Sequence, residues 1–186
     1  MFIQTEATPN PATLKFMPGQ EVLQAGTRDF RDKAAAEAAS PLAARLFEIE
    51  GVSGVFLGSD FISVTKSGGE WQHLKPALLG AIMEHYLSGA PAVTDVLKGD
   101  GHSEAGHSDE DGEIVQTIKE LLDTRVRPAV AQDGGDIVFH GYESGVVYLH
   151  MRGACSGCPS STATLRHGIE NLLRHFIPEV QEVRAV

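Results

Sequence analysis

The sequence predicts an α+β protein, with two small domains of mixed helices and strands joined by a flexible acidic linker. Three observations carry this prediction. The chain has 186 residues and is 42% hydrophobic, enough for one large or two small domains with real cores. Its apolar pattern switches between the two-residue period of strands and the 3.6-residue period of helices. Between the patterned regions lies "GDGHSEAGHSDEDG", residues 99–112, with no apolar side chain larger than Ala105. That stretch buries nothing to offset the entropy of ordering it, so it reads as a linker spanning roughly 20 Å as a coil. Domains at 1–98 and 113–186 follow.

In the first domain, "FIQTEAT" is a strand, "TPNP" a turn and "ATLKFM" a returning strand. Residues 20–32 have no decisive pattern. "SPLAARLFEIE" is a short helix, with Ser40 as N-cap and Pro41 in its first turn. "GVSGVFLGSDFISVTK" gives two strands, 52–57 and 61–66, around the turn Gly58-Ser59-Asp60. "EWQHLKPALLGAIMEHYLSG" is a longer helix with Leu74, Leu78, Ile82 and Tyr86 on one stripe. Gly89 ends it. Trp71 reads as a partly buried anchor. No phosphate-binding glycine loop and no nucleophile–base pairing is legible here.

The second domain has the order α-β-β-α-β. "EIVQTIKELLDTRVRPAVAQD" places Ile114, Ile118, Leu121, Leu122 and Val126 on one helical face. Pro128 bends or restarts that helix, and Gly134-Gly135 ends it. "DIVFHGY" and "GVVYLHMR" are strands around a turn at Glu143-Ser144-Gly145. A helix, "PSSTATLRHGIENLLRHFI", turns Leu165, Ile169, Leu172, Leu173 and Phe176 inward. "VQEVRAV" is the closing strand.

The formal net charge of −10 argues against nucleic acid as a partner, because phosphates demand a basic face. Half of that charge sits in residues 99–112, which carry Asp100, Glu104, Asp109, Glu110 and Asp111 and no Lys or Arg. No apolar run approaches the ~20 residues that span a bilayer, so no membrane partner is expected. "MFIQTEATPN" resembles neither a secretory signal nor a transit peptide. The expected location is therefore the bacterial cytoplasm, ahead of a processed mitochondrial matrix protein.

The only cysteines, Cys155 and Cys158, stand in "GACSGCPSST", residues 153–162. So short a loop makes a poor structural disulfide. The pair lies between a strand and a helix N-terminus, with Pro159 in the first turn and Ser160 or Ser161 as cap. Amide N–H groups and the helix dipole at such a place lower thiol pKa values. The thiols are expected to be exposed and to contribute little packing.

Three readings compete. A thioredoxin-like dithiol, acting as a thiol–disulfide oxidoreductase, needs a different element order around its CxxC. A zinc site needs two more ligands, and His167 and His175 follow at no finger spacing. The third is an iron–sulfur cluster at a two-fold axis. Such clusters commonly take four thiolates, and two copies of one CxxC loop supply four.

The stretch "VRPAVAQDGGDIVFHGYESGVVYLHMRGACSGCPSSTATLRHGIENLL" closely resembles the C-terminal domain of NifU, the module shared by the Nfu family. The marks are Arg127-Pro128, Asp133-Gly134-Gly135-Asp136, Gly153 through Pro159, and Thr164-Leu165. The first domain resembles the family's N-terminal domain through "TPNPATLKF" and "GVSGVFLGSDFISVTK". The resemblance implies a non-enzymatic carrier that binds a [4Fe-4S] cluster through Cys155 and Cys158, bridging a second copy of the same chain. It also implies apo iron–sulfur proteins as clients and an upstream cluster-assembly machinery. Residues 133–136 are expected to serve as a structural turn.

Overall fold

The computed structural model describes residues 1–94, 111–156 and 159–186, without the side chains of 159–161. The chain divides into two compact units, the break falling between Gly99 and Asp100. Both mix helices and sheet, so the α+β class holds. Residues 99–110 of the expected linker lie outside the described residues.

The first unit is a five-stranded antiparallel sheet with three helices. Its strands are β1 (Gln4–Ala7), β2 (Thr13–Met17), β3 (Arg28–Phe30), β4 (Val52–Leu57) and β5 (Ile62–Lys66), in spatial order β1-β2-β5-β4-β3. The helices are α1 (Lys33–Ala39), α2 (Pro41–Phe47) and α3 (Trp71–Ser88). The undecided segment supplies β3, an edge strand of three residues. Helix α1, which sequence pattern does not separate from its flanks, starts at Asp32, whose carboxylate accepts from the Ala35 N–H. Ser40 caps α2 as expected, its hydroxyl oxygen accepting from the Ala43 N–H. The same hydroxyl donates to the Ala92 carbonyl, tying the chain after α3 back to α2. Gly89 ends α3 at φ +70°. Trp71 is half-buried, and its Nε1–H donates to the Pro11 carbonyl at 3.1 Å.

The second unit stacks helices on a three-stranded sheet. A long helical stretch opens it as α4 (Gly112–Leu121), a π-helical turn (Leu122–Val126) and α5 (Arg127–Gln132). The wide turn sits immediately before Arg127-Pro128. Proline lacks an N–H and clashes with the preceding turn, so the ladder restarts there. Strands β6 (Gly135–Glu143) and β7 (Val146–Gly153) form an antiparallel hairpin. Its two turn residues have positive φ, Ser144 at 49° and Gly145 at 82°, the twist-compatible hairpin geometry. Helix α6 (Pro159–Phe176) returns the chain so that β8 (Glu182–Ala185) pairs with β7 in parallel. The core combines Ile118, Leu122 and Leu173 from helices with Ile137, Phe139 and Leu149 from strands.

One inward assignment is corrected. Phe176 is 46% exposed, and Ile177, just past the helix, is buried instead. The Ile177 N–H still bonds the Leu173 carbonyl, so the turn carries Ile177 into the core slot after Leu173.

Candidate functional site

The cysteine loop leaves the carboxyl end of β7 and enters α6. Gly153, the last residue of β7, takes φ 62°, a conformation that costs glycine little. The Ser156 N–H and hydroxyl both bond the Gly153 carbonyl, at 3.2 and 3.0 Å. The Thr162 hydroxyl donates to the Cys155 carbonyl at 2.9 Å, tying the loop to the first turns of α6. Gly157 and Cys158 lie outside the described residues. Helix α6 begins at Pro159, so Ser160 and Ser161 fall inside its first turn and are not its N-cap.

Cys155 is not the exposed thiol that its loop position suggests. It is 7% exposed and joins the apolar core of the second unit. Its pKa is pushed up to about 12, first by burial and then by the nearby carboxylates of Asp133 and Asp136. The direction is opposite to the lowering expected from the helix N-terminus. Desolvation of a thiolate beside two negative charges outweighs a partial helix charge.

The space for Cys155 comes from Gly135, twenty residues earlier. A Cβ at Gly135 would stand 2.5 Å from the Cys155 Sγ, 2.8 Å from the Arg152 carbonyl oxygen and 3.0 Å from the Cys155 nitrogen. Any side chain there displaces the sulfur or the strand. The Ala154 N–H bonds the Gly134 carbonyl at 3.2 Å, so the 133–136 turn and the cysteine loop are joined through backbone as well.

The turn is held in its own right. Arg127, at the start of α5, grips Asp136 with two parallel bonds, Nε to Oδ1 at 2.8 Å and Nη2 to Oδ2 at 2.7 Å. Asp136 is 3% exposed, and its Oδ1 also accepts the Ile137 N–H. The Arg127 Nη1 reaches Asp123 at 3.1 Å. The bonds to Asp136 hold the guanidinium further above its ordinary pKa, against the opposing effect of burial. Arg127 and Asp136 stand out in the sequence as motif residues, but no local spacing rule pairs positions nine apart.

Among the described residues no group of three or more His, Cys, Asp or Glu side chains is arranged to hold a metal ion. His167 and His175 are exposed on α6. Cys155 lies against the glycine–aspartate turn.

Known proteins match this arrangement in two blocks. Residues 3–89 match the family model described as scaffold protein Nfu/NifU N terminal, and residues 118–184 match the NifU-like domain. The chain is 53% identical over 188 residues to a human protein named NFU1 iron-sulfur cluster scaffold homolog, mitochondrial, covering 100% of this chain and 72% of that one. The chain belongs to the Nfu family. A Drosophila sechellia member of the same name is 51% identical and is covered to 65% of its length. A solved NifU-like protein from Saccharomyces cerevisiae is 22% identical, with TM-score 0.47, over 51% of this chain and 86% of that one. The chain thus spans about two thirds to three quarters of the length of these curated Nfu relatives. The expectation of a bacterial cytoplasmic protein is corrected by the same finding. The human and Drosophila sechellia relatives, matched over the entire chain, are named as mitochondrial proteins.

Proposed function

We propose that this Nfu-family chain is a non-enzymatic iron–sulfur cluster scaffold and carrier. In this reading it holds a [4Fe-4S] cluster between two copies of itself and passes it to apo iron–sulfur proteins. The supporting observation is that the chain's only two cysteines, Cys155 and Cys158, fall inside the stretch that matches the NifU-like domain. One chain offers two thiolates where a cluster commonly takes four, and a second copy about a two-fold axis completes the set. The upstream assembly machinery and the apo-protein clients are partners of this proposal.

The cluster is cargo, and the chain's residues govern its entry and exit. Cys155 must leave its pocket against Gly135 and lose its proton before it can bind iron. Ligation to a cationic iron centre compensates the deprotonation that burial and two aspartates oppose. When the cluster leaves, the sulfur returns to an apolar pocket as a neutral thiol. This exchange favours reversible loading over permanent retention. The same burial argues against Cys155 as the attacking thiolate of a thiol–disulfide oxidoreductase, which works best with a pKa near ambient pH.

The test is anaerobic reconstitution of wild type, Cys155→Ala and Cys158→Ala, followed by transfer to an apo [4Fe-4S] dehydratase in the presence of a chelator. Wild type is expected to bind iron and sulfide and activate the client within minutes, and both variants to fail. Normal iron and sulfide in either variant, or activation abolished by the chelator, sinks the proposal.

A further inference from the structure

A threonine inside a helix can turn its hydroxyl onto the carbonyl four residues back. Thr117 and Thr124 do so, donating to the Glu113 and Glu120 carbonyls at 2.8 and 2.7 Å. Thr162 does something else. Its hydroxyl reaches seven residues back, out of α6, and donates to the Cys155 carbonyl at 2.9 Å. Thr162 is half-buried at that contact.

The main chain is held on both sides of Cys155. One residue before it, the Ala154 N–H bonds the Gly134 carbonyl at 3.2 Å. One residue after it, Ser156 closes onto the Gly153 carbonyl through both its N–H and its hydroxyl. The Thr162 bond adds a grip on the Cys155 carbonyl itself. Together these fix the direction of the Cys155 Cα–Cβ bond, which carries the sulfur into the space that Gly135 leaves open. A sulfur held there, in a residue 7% exposed, does not reach an iron shared with another chain. Delivery therefore requires a local opening of the main chain at Cys155. Most of the bonds that resist it come from backbone groups, which any residue type supplies. The Thr162 hydroxyl depends on the residue.

We propose that Thr162 is a positioning residue for Cys155: its hydroxyl latches the main chain at Cys155, keeps the sulfur in the Gly135 space while no cluster is bound, and its release sets how readily the sulfur is delivered to iron. The purpose of the latch rests on the carrier reading, and the latch itself on the geometry around Cys155. Loss of one neutral hydrogen bond shifts such a local equilibrium by about twofold to tenfold.

The experiment is iodoacetamide labelling of the cluster-free full chain carrying Cys158→Ser, in which Cys155 is the one thiol left. This parent is expected to label at least about tenfold more slowly when folded than when unfolded in urea, because reaction waits for local opening. Adding Thr162→Val should speed labelling by about twofold to tenfold. Thr162→Ser should keep the parent rate. Thr124→Val, which loses a hydroxyl bonded within its own helix, should leave the rate unchanged. Low concentrations of urea should not alter the gain, the mark of a local opening that exposes little surface. With both cysteines present, Thr162→Val should take up iron and sulfide faster by the same factor. Labelling unmoved by Thr162→Val, or raised equally by Thr162→Ser or Thr124→Val, overturns the latch. So does a parent that labels as fast folded as unfolded, a comparison that needs no variant at position 162 to fold. An unchanged uptake rate overturns the control of delivery. A chain with both cysteines that takes up no cluster overturns the carrier reading instead, and the labelling comparison still decides the latch.

Discussion

Gly135 sets the depth of Cys155. The loop's spacing leads one to expect a ligand cysteine but says nothing of the pocket, because the wall is a main-chain segment twenty residues away. Gly135→Ala places a methyl 2.5 Å from the sulfur and 2.8 Å from a carbonyl oxygen of the paired strand. The sulfur can swing away but the carbonyl cannot yield without moving the hairpin, so a destabilisation of about 2–3 kcal/mol is expected, with altered cluster loading. Thermal unfolding of the apo protein and iron content after reconstitution check this. Unchanged stability would mean that the pocket relaxes freely. The Arg127–Asp136 pair was legible only as two motif residues, since their meeting depends on the π-helical turn and the chain reversal at Gly134. Asp136→Ala leaves the partly buried Arg127 guanidinium to its exposed partner Asp123 and should cost about 2 kcal/mol, measured by denaturant unfolding. A loss below 0.5 kcal/mol would place the pair among ordinary surface ion pairs.

Elements were legible where a local rule decides them. Ser40 caps α2, Gly89 stops α3, and the β6–β7 turn has the Ser144-Gly145 chemistry of a two-residue hairpin loop. They were not legible where neighbours decide. Edge strand β3 exists because β4 offers it a partner, and β8 runs parallel to β7 because α6 carries the chain back across the sheet. At the end of α6, periodicity alone does not choose between Phe176 and Ile177. Phe176 stays outside under the Arg125 guanidinium, 5.1 Å from its ring centroid. Helix α3 adds a pH response. His85 is 1% exposed and its Nε2 has no partner. Burial, then the charge of Arg45, lowers its pKa, against a backbone bond to Ala90. The folded unit therefore holds His85 neutral while the unfolded chain protonates it near the usual pKa of about 6.5. This contribution is fully present above that pH. It is lost on acidification toward the folded pKa, at up to about 1.4 kcal/mol per pH unit. Trp71, the chain's one tryptophan, reports this unit in urea unfolding. Between pH 7 and 5.5 wild type should lose more stability than His85→Leu, and equal slopes would remove His85 as the cause.

At the scale of the whole molecule, residues 3–89 and 118–184 each match their own family model. The sequence leads one to expect a linker between them, since a stretch without large apolar side chains offers nothing to bury against the entropy of ordering it. Residues 111–186 alone are expected to load a cluster as the full chain does, and failure would make the first unit part of the site. The partner copy is what the chain's own fold does not reveal, since a two-fold contact leaves no mark on a single chain beyond an incomplete ligand set. The central claim is that two cysteines per chain make one four-thiolate site per pair of chains. Native mass measurement of the anaerobically reconstituted protein, with Mössbauer spectra of the same sample, tests it most directly. The predicted result is one [4Fe-4S] cluster on two chains, reverting to apo monomers on chelation. A full cluster carried by a single chain would contradict it.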